Sequence, residues 1–322
     1  MDKLEKEAHV LYYLRHVRQL PDPYAGQDHH RVVLLFFCIQ GLAVLGELDR
    51  INKKDVIDFV YALQVHPDSR DKSINAADCG FRGSPWLGNA YFKAPKEYES
   101  TTYDTAHIAS TYAALAILKT LGDTFSRVNR PAIVGALQAL QNPATGGDNA
   151  SSVSIFHLVS RFTASSLGTE EDIRFVYCAC AISSMLDDWS GVDRDGVVRY
   201  VNACCAFDGG LGGYPGLEAQ GGYTYCGIAA LQLAGRLVQA TFDLPRLIHW
   251  LVMRQQEGFQ GRVNKVPDVC YAFWDGATLA LLGQHALVDV PACRRFVLSC
   301  QFKHGGIAKY PTVYPDVLHS MA

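Results

Sequence analysis

Four stretches of the chain are apolar on most of their helical faces: Tyr103–Leu118, Arg174–Leu186, Tyr223–Ala234 and Asp268–Leu282. Helices apolar nearly all round belong inside a large all-α protein, and the Ala, Gly and Cys along these four let neighbours approach closely. More polar helices, such as Lys53–Leu63 and Pro245–Arg254, lie between them and form an outer layer. Strand alternation is scarce throughout. The longest apolar stretch, Val32–Gly46, contains Gln40 and is shorter than the ~20 residues that span a bilayer, so it reads as a buried core helix.

Glycine punctuates this pattern. The first glycines of Gly80 to Gly83, Gly146-Gly147, Gly209-Gly210, Gly258 to Gly261 and Gly305-Gly306 fall 66, 63, 49 and 47 residues apart. The later units share one plan: an apolar or Gln-containing helix, a glycine-rich turn, a short loop, and a second helix rich in small apolar residues. Glycines that merely end helices would account for single turns, but here spacing, helix type and position recur together. The predicted fold is all-α, an α-α barrel (toroid) of paired helices around a central cavity, with residues 1–322 forming a single domain.

Composition sharpens this reading. Hydrophobic residues make up 49% and charged residues 19%, which leaves apolar surface to face a ligand or partner. Lys plus Arg is 29 and Asp plus Glu 32, a net charge of −3, so there is no basic excess for nucleic acid. The opening MDKLEKEAHV has no apolar h-region, and the cytoplasm is the expected location. Ten cysteines, several inside apolar helices, read mostly as reduced core thiols.

Two helix starts carry candidate chemistry. Pro267-Asp268-Val269-Cys270 and Pro315-Asp316-Val317-Leu318-His319 both begin with Pro-Asp, and Cys270 to His319 is 49 residues, one repeat step. If Asp268 caps its helix, its carboxylate and the Cys270 thiolate can turn to one ion, with His319 as a third ligand. Such a set suits Zn²⁺ with an open fourth position. There is no paired CxxC, and an Asp cap, a buried Cys and a helix His also have ordinary structural uses, so spacing alone leaves the metal open. Arg262, Lys265 and Lys309 lie near glycine turns and helix starts, where they form either a diphosphate site or a solvated turn. His107, on an apolar helix, reads as a satisfied core histidine. No P-loop, Gly-x-Ser-x-Gly or HExxH motif is present.

At these residues the sequence resembles the protein prenyltransferase β subunits, most closely those of geranylgeranyltransferase type I. The strings are CGFRGS (79–84), YDTAHIASTYAAL (103–115), RFVYCA (174–179), GLEAQGGYTYCGIAAL (216–231), MRQQEGFQGRVNKVPDVCYAFWDGATL (253–279) and GGIAKYPTVYPDVLH (305–319). The similarity covers roughly 5–140 and 172–319. It implies an aromatic-lined lumen, an obligate α subunit, and transfer of a C20 isoprenoid from geranylgeranyl diphosphate to the cysteine of a CaaX box, usually CaaL, on small GTPases and similar proteins. By this resemblance Asp268, Cys270 and His319 match the zinc ligands, while Arg262, Lys265 and Tyr271 match groups that hold the diphosphate. Lys309 stands where farnesyl-transferring relatives carry a magnesium-binding aspartate, so magnesium should be dispensable. Val33 replaces their Trp and leaves room for C20. Leu318 and Phe37 match positions that shape the pocket for the CaaX aliphatic residue.

The departures are expectations too. Gln220 occupies the place of a diphosphate-binding histidine, and a neutral amide should bind more weakly. Residues 142–171 form an inserted loop, expected to be partly disordered at its ends. The chain stops at Ala322, three residues after His319, where the family continues, so a gap in the ring is expected. These features keep alive a catalytically impaired isoform that binds α and lipid. A farnesyltransferase-type activity ranks lower, and a terpene cyclase lower still, because no DxDD motif is present.

Overall fold

Most helices begin where a short polar side chain precedes an apolar run. Asn52, Asn129, Asp172, Asp193, Asp243 and Asp289 each accept a backbone N–H as N-caps, and proline occupies the first turn after Asn129, Asp243 and Asp289. The computed structural model describes residues 3–88, 97–142, 161–168 and 170–321. Among these, twelve α-helices alternate between two layers. The inner ones are α2 (Arg31–Val44), α4 (Ile108–Thr120), α6 (Ile173–Leu186), α8 (Gly221–Leu233), α10 (Cys270–Leu281) and α12 (Val317–Met321). The outer ones are α1 (Lys6–Arg18), α3 (Lys53–Tyr61), α5 (Arg130–Leu140), α7 (Arg194–Ala203), α9 (Leu244–Val252) and α11 (Val290–Ser299).

Burial separates the layers as the pattern predicts. Inner α6 buries side chains all round, whereas outer α9 buries only the i, i+3, i+4 stripe of Leu247, Trp250 and Leu251. Consecutive inner helices pack on one another from α2 through α10, and α12 packs back on α2. Eight of the ten cysteines are buried, and all ten are free thiols.

Two helix starts differ from the sequence reading. The helix expected from Tyr103 starts at Ile108, because Asp104 is committed to a buried ion pair with Arg82 and His107 is the cap, its Nδ1 accepting the Ala109 N–H at 3.1 Å. The helix expected from Asp268 starts at Cys270, and Val269, not Asp268, is its N-cap.

The last repeat meets the first at α1 and α2, and α12 is a short helix of five residues. The turn before α10 packs on the following outer helix, such that a Cβ on Gly258 would lie 2.3 Å from the Phe296 ring of α11. The turn before α12 packs in the same manner on α1: a Cβ on Gly305, at φ +89°, would lie 2.0 Å from Ala8 O. Hydrogen bonds secure the join. Gln301 Oε1 accepts the Glu5 N–H and contacts the His9 ring, both at 2.8 Å, and Gly306 N–H donates to His9 Nδ1 at 3.0 Å. The N-terminal helix thus packs beside the last repeat.

Three two-stranded antiparallel ribbons brace the turns. One corrects the loop expectation: β3 (Gln141–Asn142) pairs with β4 (Arg161–Phe162), Phe162 is fully buried, and Arg161 meets Glu171 at 2.9 Å and the Tyr214 hydroxyl at 2.6 Å. The described residues flanking the insertion thus pair with one another, with Phe162 in the core. The middle of the insertion, with Gly146-Gly147, lies outside the described residues.

One core feature opposes stability. Asp275 of α10 is fully buried and neither of its carboxylate oxygens has a hydrogen-bond partner. Burial raises its pKa well above the carboxylate range, and the nearby Arg254 opposes this only in part. A raised folded-state pKa gives stability that is full below the unfolded value and falls as pH rises toward the folded one. The Asp275→Asn variant should therefore gain on the parent as pH rises from 5 to 8, by on the order of 1 kcal/mol, in urea midpoints. An advantage independent of pH would show that the carboxyl is not held neutral.

Candidate functional site

The starts of α10 and α12 are brought together by the third ribbon, β5 (Ile307–Ala308) with β6 (Pro315–Asp316), and by the Val269 N–H donating to Lys309 O at 3.0 Å. Asp268, Cys270 and His319 meet there, with one candidate ligand atom from each lying within 4.8 Å of the other two. Asp268 and Cys270 are 6% and 7% exposed. Asp268 Oδ1 accepts the Cys270 N–H at 3.0 Å and lies 3.2 Å from His319 Nε2. Its other oxygen, Oδ2, is 3.5 Å from the Lys309 ammonium.

Electrostatics favour positive charge at this point. Burial pushes the Cys270 thiol up to about 11, partly offset by its hydrogen bond with His319. Burial alone would raise Asp268, but hydrogen bonds from His319 and Cys270 outweigh it and lower its pKa. Burial would lower His319, yet its hydrogen bonds to Asp268 and Asp316 lift it to about 11. A site that holds an imidazolium between two carboxylates welcomes a cation.

Asp316 was legible only as a helix start. It accepts the His319 N–H at 2.9 Å through Oδ1 and contacts His319 Nδ1 at 2.6 Å through Oδ2. One carboxylate thereby caps α12 and fixes the ring with Nε2 toward Asp268, the carboxylate–histidine arrangement that orients metal-binding imidazoles. The signal was present in the sequence: an Asp cap three residues before a candidate His.

Tyr271 follows Cys270, and its hydroxyl accepts a hydrogen bond from Gln220 Nε2, the cap of α8, at 2.8 Å. Arg262 pairs with Glu218 at 3.2 Å, both half-exposed or more. Lys265 is exposed and makes no ion pair among the described residues. Val33 and Phe37 are half-buried on α2, and half-buried Leu318 lies on α12, which packs against α2.

A band of aromatics crosses the inner helices. Phe36, Tyr112, Tyr177, Tyr225 and Phe273 come from α2, α4, α6, α8 and α10, with neighbouring ring centroids 5.1–5.6 Å apart, and Trp274 joins at 5.2 Å from Tyr225. Such edge and tilted contacts are the favoured aromatic geometries. From Tyr112 onward all are only half-buried. Their sequence steps from Tyr112 are 65, 48 and 48, the latter two close to the last glycine steps of 49 and 47. A separate cleft of ≈ 520 Å³, floored by Leu14, Leu35 and Phe59, shares no residue with the site.

Comparison with known proteins agrees with this geometry. Residues 4–322 match the prenyltransferase alpha-alpha toroid domain. The chain is 36% identical to the geranylgeranyl transferase type-1 subunit beta of Dictyostelium discoideum, covering 98% of this chain and 88% of the relative. It is 38% identical to that of Arabidopsis thaliana, covering 98% and 82%. The Candida albicans protein geranylgeranyltransferase-I complexed with GGPP superposes with a TM-score of 0.78 at 22% identity, over 99% of this chain and 89% of that one.

Proposed function

The chain belongs to the prenyltransferase α-α toroid family, among the type-1 geranylgeranyl transferase β subunits, and from that premise we propose that it transfers a geranylgeranyl group to protein cysteines. The donor would be geranylgeranyl diphosphate, the acceptor the thiol of a CaaX box, and the partner an α subunit. The observation that carries this reading is the meeting of Asp268, Cys270 and His319 beside Lys309 and Tyr271. A carboxylate, a thiol and an imidazole fit zinc, and three protein ligands leave its fourth position for substrate. Zinc bound there supplies a lowered thiol pKa, so that thiolate is present near neutral pH.

The chain's own residues would do the rest. Asp316 holds the His319 ring in its binding orientation. Arg262, Lys265, Lys309 and the Tyr271 hydroxyl would hold the diphosphate and stabilise the charge that grows on it as the carbon–oxygen bond breaks. The Arg262–Glu218 pair, on an exposed surface, is worth at most ~1 kcal/mol and yields readily to a diphosphate. Lys309 is a fixed cation where a second metal would otherwise sit, so magnesium would be dispensable. The aromatic band offers apolar, polarisable faces to the isoprenoid, Val33 leaves it length, and Phe37 with Leu318 would shape the pocket for the peptide. Free thiols throughout suit the reducing cytoplasm.

The test is co-expression with an α subunit, zinc, and a peptide ending in CaaL. The expected product is the geranylgeranyl thioether, formed at the same rate whether or not magnesium is added, with farnesyl diphosphate the poorer donor. A stable α complex that binds the lipid yet forms no thioether would make the chain a non-catalytic binding subunit.

A further inference from the structure

Gln220 and Tyr271 lie in different repeats and meet because α8 packs on α10. The two ends of the Gln220 amide are already assigned. Oε1 accepts the Tyr223 N–H at 3.0 Å as the cap of α8, which leaves the NH₂ end for Tyr271. A phenol oxygen that accepts this bond has its own proton free to donate elsewhere.

The tyrosine has little freedom to adjust. A Cβ on Gly261 would lie 2.1 Å from its ring, so the ring rests directly on that backbone. Gly261 O in turn accepts the Gly221 N–H at 2.9 Å, tying the turn to the first residue of α8.

We propose that Gln220 is a positioning residue that acts on the substrate diphosphate through Tyr271, holding the phenol oxygen so that its proton is presented to the anion, and does not itself contact the anion. The inference rests on the diphosphate reading of this site, and it names what the amide does there.

A double-mutant cycle on the α/β complex tests it, with dissociation constants for geranylgeranyl diphosphate and, as the lipid-free probe, inorganic pyrophosphate. Gln220→Ser keeps a good N-cap but is too short to reach Tyr271. Tyr271→Phe removes the hydroxyl. Each should weaken diphosphate binding about 10-fold, and the double variant also about 10-fold, because both remove one donor. Gln220→His, which restores a ring N–H, should recover most of the loss, while zinc content and peptide affinity stay unchanged in all four variants. Losses that multiply to about 100-fold would mean that Gln220 meets the anion itself and would overturn the inference alone. A wild-type complex that binds neither probe would overturn the diphosphate reading and the inference together.

Discussion

Cys270→Ala is expected to abolish stoichiometric zinc binding and to lower geranylgeranyl transfer by at least about 100-fold, because loss of even an outer-shell partner of a metal ligand costs about 10–100-fold. The fold should survive. Cys270 is small and buried, and trimming it to alanine removes one sulfur atom for ~1 kcal/mol of packing. Without the thiolate, Asp268 and His319 remain 3.2 Å apart and close on each other as an ion pair, so the two remaining ligands prefer each other to a metal. The pH profile separates lost activation from general damage. The parent should be flat across neutral pH, where a zinc-lowered thiol is already ionised. The residual rate of the variant should climb about 10-fold per pH unit up to the ordinary cysteine pKa near 8.5, since only the thiolate attacks. Lipid binding should persist, because Arg262, Lys265 and Lys309 are untouched. Zinc at one per chain with an unchanged rate in Cys270→Ala would defeat the mechanism.

What could be read from the sequence follows from how local each signal is. The inner helices were legible because a helix surrounded by protein is apolar on every face, a property of ten or so consecutive residues. The metal set was legible through the family resemblance, because two Pro-Asp helix starts one repeat apart leave the metal open until the ring brings them together. Asp316 was read only as a cap, although its i, i+3 spacing to His319 lets one carboxylate both cap the helix and hold the ring. The packing of α1 beside the last repeat had no local signature at all: Gly305 fits against Ala8 and Gln301 bonds to Glu5, contacts between segments almost 300 residues apart. The helix starts at Ile108 and Cys270 were placed early. Asp104 is claimed by Arg82 from another segment, whereas Asp268 still accepts the first N–H of the helix, from Cys270, while also meeting His319.

Asp104→Asn is expected to destabilise the chain by ~3–5 kcal/mol, the cost of leaving one member of a buried ion pair uncompensated. The pair is deep: Arg82 is 3% and Asp104 1% exposed, with Nη1 donating to Asp104 Oδ1 at 2.7 Å. The same nitrogen reaches Leu87 O at 2.7 Å, and the Tyr98 hydroxyl donates to the other carboxylate oxygen. Asp104 therefore fastens the segments of Arg82 and Tyr98 to the entry of α4, the helix that His107 caps and that carries Tyr112. Asparagine keeps the shape and one acceptor, so little of the loss is packing; most is the negative charge removed from opposite a buried guanidinium. The surface pair Arg199–Asp193, 3.0 Å apart and half-exposed, is the control, and its loss should cost only ~0–1 kcal/mol. The double variant Arg82→Met/Asp104→Leu removes both charges and should recover most of the loss, as buried pairs replaced by apolar residues do. Urea midpoints at constant m would decide the matter. If Asp104→Asn costs no more than the surface control, water reaches Arg82 and the pair does not anchor α4. If the apolar double variant is as unstable as the single one, geometry rather than charge holds these segments, and the hydrogen bonds to Leu87 and Tyr98 are the anchor.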